Sequence, residues 1–194
     1  MLVLASGSAS RKALLTAAGV SFTTDPADLD EAALMAELHS AGAETMARSL
    51  AEQKALAVSR RHPGQIVLGG DSVIAFGGDI LSKCATLDEA RRLLLRLSGR
   101  THLLVSAAAL ARDGALLWAH ASPCQMTMRE LSPQFLEDYL AREGAGVLSS
   151  VGCYHFEGRG AQLFDRVDGD YFSVLGLPLL PVLVQLRKEG LLAS

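Results

Sequence analysis

The sequence predicts an α/β protein with a mixed, twisted sheet flanked by helices. Three observations carry this reading. Short apolar runs alternate with segments of helical spacing along most of the chain. Two long strand-like runs meet at Asp113-Gly114, a hairpin signal that makes part of the sheet antiparallel. The chain also opens on an apolar run, a small-residue loop and a helix.

In order, Leu2 to Ala5 reads as a strand and Ser6 to Ser10 as a loop. The next helix is capped by Ser8 or Ser10 and ended by Gly19. Val20 to Thr24 is a second strand, and Asp25 to Glu31 an acidic loop. Helical spacing covers Ala32 to Ala41 and Glu44 to Arg61, with Gly42 between them and His62-Pro63-Gly64 as the stop. Met46, Leu50, Ala57 and Val58 offer the buried stripe. Gln65 to Leu68 reads as a buried strand ending in Gly69-Gly70-Asp71. Ser72 to Phe76 then continues as strand, turns at Gly77-Gly78-Asp79 and returns through Ile80-Leu81.

Thr86 to Glu89 is a capping box for a helix that carries Ala90, Leu93, Leu94 and Leu97 on one face and closes at Ser98-Gly99. Thr101 to Arg112 and Ala115 to Met128 are the hairpin strands. Ser132-Pro133 opens a helix to about Arg142, with proline at its first position. Gly144 to Gly160 is irregular, Leu163 to Val167 a strand, and Leu177 to Glu189 a terminal helix.

A chain of 194 residues suits one domain, 1–194, or two closely joined lobes, with room for a substantial core. Its 49% hydrophobic and 20% charged residues describe a globular protein. A net charge of −3, from 18 basic and 21 acidic residues, gives no electrostatic case for a nucleic acid or an anionic membrane. No apolar run reaches the roughly 18 residues of a membrane span. The start is apolar first and basic later, the reverse of a secretory signal, so a cytoplasmic protein is expected. Cys84, Cys124 and Cys153 are widely spaced and form no CxxC pair, which reads as reduced thiols.

Two stretches suggest chemistry. The loop Ser6-Gly-Ser-Ala-Ser10 lets backbone approach a ligand, and the helix after it presents free N–H groups to an anion. Ser6 and Ser8 line that loop, and Arg11 adds a guanidinium able to fork onto a phosphate; an ordinary capped strand-to-helix turn fits the same residues. Asp71, after an apolar strand and a Gly-Gly pair, is placed to expose a carboxylate at a strand end, although a turn aspartate fits equally. Neither GxGxxG nor GxxxxGK[ST] occurs, which disfavours dinucleotide and P-loop enzymes.

The run Leu4-Ala-Ser-Gly-Ser-Ala-Ser-Arg-Lys-Ala-Leu-Leu15 resembles the opening signature of the Maf family of nucleotide pyrophosphatases, LAS-x-S-P-R-R-x-x-LL. Ala9 and Ser10 replace the proline and first arginine of that pattern. The likeness continues in order. Gly70-Asp71-Ser72-Val-Ile resembles Gly-Ala-Asp-Thr-Val-Val with its first glycine at Gly69, and Asp30-Glu31 resembles the family's Asp-Glu pair. Leu50-Ala-Glu-Gln-Lys54-Ala resembles Leu-Ala-x-x-Lys-Ala, and Lys83-Cys84 stands where Gly-Lys-Pro is usual. Leu97-Ser-Gly-x-x-His102, the segment from Gly152 to Gly160, and Gly169 to Pro178 also match; Ser150 stands where a lysine is common.

This resemblance implies a two-lobed domain around a central cleft, similar to the inosine triphosphatase-like fold, and a metal-dependent hydrolase cutting nucleoside triphosphates to monophosphate and pyrophosphate. It implies Asp71 as proton acceptor, Glu31 and Asp71 as ligands of Mg²⁺ or Mn²⁺, and Arg11, Lys54 and Lys83 as phosphate partners. Asp30-Glu31 alone also suits a solvated helix start. A homodimer is suggested by the family likeness. The rival expectation is a nucleotide-binding regulator linked to cell division, with weak or no catalysis.

Family subgroups differ at positions that correspond to Ser10, Ser72 and Glu157. A glutamate only accepts hydrogen bonds, which suits guanine's N1–H and N2–H₂ better than uracil or thymine. Glu157 resembles the subgroup acting on 7-methyl-GTP, which carries glutamine where this chain has Ser72. A guanine-type or modified purine is therefore the expected base.

Overall fold

A computed structural model describes residues 1–193, the side chain of His39 excepted. It contains a seven-stranded mixed sheet flanked by helices, in the order β2-β1-β3-β5-β6-β7, with β4 paired to β3. The strands are β1 (Leu2–Leu4), β2 (Phe22–Thr24), β3 (Ile66–Phe76), β4 (Asp79–Leu81), β5 (Thr101–Arg112), β6 (Ala115–Met128) and β7 (Phe164–Asp168). The α-helices are α1 (Ala9–Ala17), α2 (Glu31–Glu37), α3 (Ala43–Ser59), α4 (Leu87–Leu97), α5 (Pro133–Glu143), α6 (Tyr171–Val174) and α7 (Leu179–Lys188). No helix among the described residues is long and apolar enough to cross a membrane.

The chain forms two compact units, and their boundaries fall within the long strands β3 and β5 and near the middle of β6. The first unit comprises Met1–Ser72, Val105–Pro123 and Asp170–Ser194. Here β1 pairs in parallel with both β2 and β3, which needs crossovers, and α1 and the α2–α3 segment supply them. Strand alternation sorts the core into two layers. Leu2, Leu4, Ile66, Leu68, Ala108 and Leu110 face Leu14 and Leu15 of α1 with Val182 and Leu186 of α7. Val3, Ala5 and Val67 face Val58 of α3 on the other side.

The second unit comprises Val73–Leu104 and Cys124–Gly169. In it β4 returns antiparallel on β3, and β7 runs antiparallel to β6. Its interior holds His102, which is 2% exposed, with Nε2 2.9 Å from the hydroxyl of Tyr154. His102 Nδ1 is buried without a partner, and burial pushes the imidazole down to about 4 from an ordinary 6.5. Between those values the unfolded chain binds the proton and the folded chain does not. The stability that neutral His102 supports is therefore complete above pH 6.5 and is lost as pH falls towards about 4. The loss should reach about 3 kcal/mol. Urea unfolding from pH 7 to 4 should show it, and His102→Gln should flatten that slope; an unchanged slope would assign the acid sensitivity elsewhere.

Most elements fall where the sequence places them. The hairpin turn has positive φ at both Asp113 (52°) and Gly114 (76°), the conformation Asp-Gly favours between twisted strands. Ser132 caps α5 through Phe135 N, and Pro133 opens that helix. The capping box before α4 differs in detail: Thr86 accepts from Glu89 N, but the Glu89 carboxylate accepts from Ala85 N at 2.7 Å.

Four expectations are corrected. The helix expected over Ala32 to Ala41 is α2, ending at Glu37, and a 3₁₀ turn over His39–Ala41. Ala57 is only half-buried on α3, whose buried stripe instead includes Ala51, Lys54 and Ala55. The short helix α6 was not expected; Asp170 caps it by accepting from Ser173 N at 2.7 Å. Finally, Gly69-Gly70-Asp71 does not end a strand. β3 runs unbroken from Ile66 to Phe76, and the glycines are there for close packing. A Cβ on Gly69 would collide with the backbone of Ala51 and Ala55, and one on Gly70 would press on Arg11.

Candidate functional site

Eight of the ten candidate residues lie in the first unit, where Ser6, Ser8, Ser10 and Ser72 cluster about Arg11 and Asp71 and Glu31 meet on Lys54. The loop after β1 turns into α1 at Ser8, whose Oγ accepts from Arg11 N at 3.4 Å as the cap. Ser8 Oγ also meets Ser10 Oγ at 3.0 Å, so of the two alternatives Ser8 is the cap and Ser10 its neighbour in the first turn. Gly7 and Ala9 are exposed, leaving the loop backbone and the open end of α1 accessible to an anion.

Arg11 itself is 9% exposed and turned inward. Nε donates to the carbonyl of Gly176 at 2.8 Å, Nη1 to Ser6 Oγ at 3.1 Å and Nη2 to Ser72 Oγ at 3.1 Å. Burial pulls this guanidinium below its ordinary pKa, while the charges of Asp71 and Glu31 pull the other way. A guanidinium holds its proton at any physiological pH, so the loop keeps a fixed positive charge beneath it.

Two carboxylates meet on Lys54. This lysine projects from α3 with only a tenth of its side chain exposed. Its Nζ donates to Asp71 Oδ1 at 2.6 Å and lies 2.9 Å from Glu31 Oε1. Asp71 is held mid-strand on β3 and is 8% exposed, so its carboxylate is enclosed rather than displayed at a strand end. Glu31, at the first position of α2, has a side chain 48% exposed. Asp30 caps that helix by accepting from Ala33 N at 3.0 Å. The helix start and the acidic pair thus divide the work: Asp30 caps and Glu31 reaches the lysine.

Two oxygen donors of this kind fit a hard divalent cation, which takes one or two protein carboxylates and fills its shell with water and substrate phosphate. Among the described residues no group of three or more His, Cys, Asp or Glu side chains could hold such an ion unaided. The donor set suits an ion shared with a polyanionic ligand.

Lys83 and Glu157 belong to the second unit. Lys83 is exposed just after β4, and Glu157 is exposed in the turn before Arg159. The three cysteines are free thiols, Cys124 and Cys153 buried and Cys84 half-buried. Burial, with a hydrogen bond to Cys84, pushes the Cys153 thiol up to about 12, so it stays protonated.

Sequence reasoning missed two parts of the site. Gly176, with φ +104°, brings its carbonyl onto Arg11 from 165 residues away. Ser106 Oγ sits 2.9 Å from Ser72 Oγ. A single hydroxyl inside the apolar run Leu103-Leu-Val-Ser106-Ala-Ala-Ala was the available signal for the second.

Fold and site together define an α/β protein that offers a polyanion an open helix start beside paired carboxylates. The chain belongs to the Maf family: the family described as Maf-like protein matches residues 1–189. It is 50% identical over 190 residues to a 7-methyl-GTP pyrophosphatase of Brucella abortus, covering 97% of this chain and 96% of the relative. It is 47% identical over 195 residues to a nucleoside triphosphate pyrophosphatase of Rhodospirillum rubrum, covering 100% and 96%. A solved nucleoside-triphosphatase (dITP/XTP pyrophosphatase) from Mycobacterium abscessus shares 18% identity, with a TM-score of 0.39 over 76% of this chain and 96% of that one.

Proposed function

We infer that this protein hydrolyses nucleoside triphosphates to the monophosphate and pyrophosphate, with a preference for a modified guanine nucleotide such as 7-methyl-GTP. The observation that supports it most is the buried Lys54 holding Asp71 and Glu31 together, next to the loop and helix start that suit a triphosphate. The full-length likeness to pyrophosphatases supports the same reaction. Those relatives are named as enzymes, which disfavours the reading as a non-catalytic regulator.

In the proposed reaction a water oxygen attacks the α-phosphorus. Its bond to phosphorus forms as the bridging bond to the β-phosphate breaks, and pyrophosphate leaves. Asp71 Oδ1 is engaged by Lys54, so Oδ2 is the oxygen assigned to orient that water and take its proton. Lys54 then has a second role: its hydrogen bond fixes the Asp71 carboxylate in place, and its ammonium adds positive charge beside the phosphates. A divalent cation, Mg²⁺ or Mn²⁺, on Glu31 and Asp71 would neutralise phosphate charge.

Ser6 and Ser8, with the first turn of α1, contact phosphate oxygens. Lys83 adds a further cation, and Glu157 accepts from the guanine edge. Ser10, in the first turn of α1, and Ser72, on β3, are the other two specificity positions, and both border Arg11.

The test is pyrophosphate release from 7-methyl-GTP, GTP, UTP and dTTP, with Mg²⁺ or Mn²⁺ and with chelator. Release from 7-methyl-GTP at least tenfold faster than from UTP is expected, with loss on chelation. Faster release from UTP or dTTP would reverse the assignment of Glu157, and undiminished release in chelator would remove the metal.

A further inference from the structure

Ser106 lies midway along β5 with no exposed surface, among apolar neighbours. Alanine occupies the next three positions, so small size alone does not call for a serine here. Its hydroxyl meets Ser72 Oγ at 2.9 Å, and Ser72 Oγ accepts from Arg11 Nη2 at 3.1 Å. Buried hydroxyls lose free energy unless partnered, and this one is partnered to the site.

The geometry then runs outward. Arg11 is held at three corners, by Gly176, Ser6 and Ser72. Two of these are fixed in place: Gly176 offers a main-chain carbonyl, and Ser6 is tied by Ser8 N, which donates to its Oγ at 3.2 Å. The Ser72 hydroxyl is a rotor, and Ser106 is what sets it. Ser6 Oγ accepts from both Ser8 N and Arg11 Nη1, which uses its two lone pairs and leaves its proton as a donor. A donor at that position suits an anionic oxygen.

We propose that Ser106 is a positioning residue of the nucleotide site: through Ser72 it holds Arg11, and Arg11 keeps the Ser6 hydroxyl oriented as a donor to phosphate. This rests on the triphosphate reading above. The residue touches no substrate and acts only through its neighbour.

The experiment is a double-mutant cycle of Ser106→Ala and Ser72→Ala, read as kcat and KM for the nucleotide that the wild type cleaves best. Ser106→Ala should raise KM about 3–10-fold, the span of one hydrogen bond, with kcat within about twofold of wild type. The double variant should be no worse than Ser72→Ala, because the serines act in series. A purely structural serine would instead lower the active fraction, cutting apparent kcat at unchanged KM, and its effect would add to that of Ser72→Ala; either result overturns the proposal. If the wild type released no pyrophosphate, the catalytic reading would fail by itself. The same cycle on GTP affinity, measured by calorimetry, would then decide the positioning role, and unchanged affinity in Ser106→Ala would end it.

Discussion

Asp71→Asn is expected to lower turnover by about 10²–10⁴-fold, the range removed with a positioned general base. Asparagine has the shape of aspartate and its carbonyl can still accept from Lys54, which lies 2.6 Å from the native carboxylate. Lys54 also keeps Glu31 as an ion-pair partner, so the fold should hold. Nucleotide affinity, read by calorimetry, should therefore change far less than kcat. A variant that kept turnover within tenfold of wild type would remove Asp71 from the role of base. Loss of binding in parallel with turnover would make it a binding residue instead.

Lys54→Met should be the most damaging single change to stability near the site. Methionine keeps the buried stem and removes the ammonium, leaving Asp71 buried without its ion-pair partner, with only the more distant Arg11 charge to offset it and with Glu31 nearby. Breaking a buried pair costs roughly 3–5 kcal/mol, and the 48% exposure of Glu31 puts the expected loss at the lower end, about 3 kcal/mol. For a chain of this size that lowers Tm by about 6–12 °C. Adding Asp71→Asn should recover more than half of the loss, because the buried charge goes with its partner. Thermal and urea unfolding of the single and double variants measure this. A Lys54→Met protein as stable as wild type would show that water already solvates Asp71, and would undo the enclosed-site geometry.

Both outcomes turn on the same arrangement, and the two residues that make it are far apart in the chain. Lys54 sits in the middle of α3 and Asp71 in the middle of β3. They meet because Gly69 lets the helix lie against the strand where a side chain would strike Ala51 and Ala55. In the sequence the Gly-Gly pair reads as the end of a strand, since glycine weakens strand interiors. Its use for a close crossing depends on which helix the strand meets, and local pattern does not carry that.

Arg11 follows the same rule. Its position on the first turn of α1 is legible from the capping serines, because a cap is a contact between residues two or three apart. Its direction is not. The guanidinium turns inward to Ser6, Ser72 and Gly176, and two of those partners come from distant segments.

What the sequence determined by itself were the features whose physics is local or periodic: strand and helix alternation, the Asp113-Gly114 turn, the start of α5 at Ser132-Pro133, and the ordered motifs that place the chain among its relatives. Tertiary structure alone decided that β3 runs unbroken through its glycines, that Asp71 is enclosed, that Lys54 bridges Asp71 and Glu31, and that Ser106 stands behind Ser72. Those are contacts between segments that only packing brings together. A hydrogen bond of 2.9 Å across 34 residues has no local signature beyond an out-of-place hydroxyl in an apolar strand.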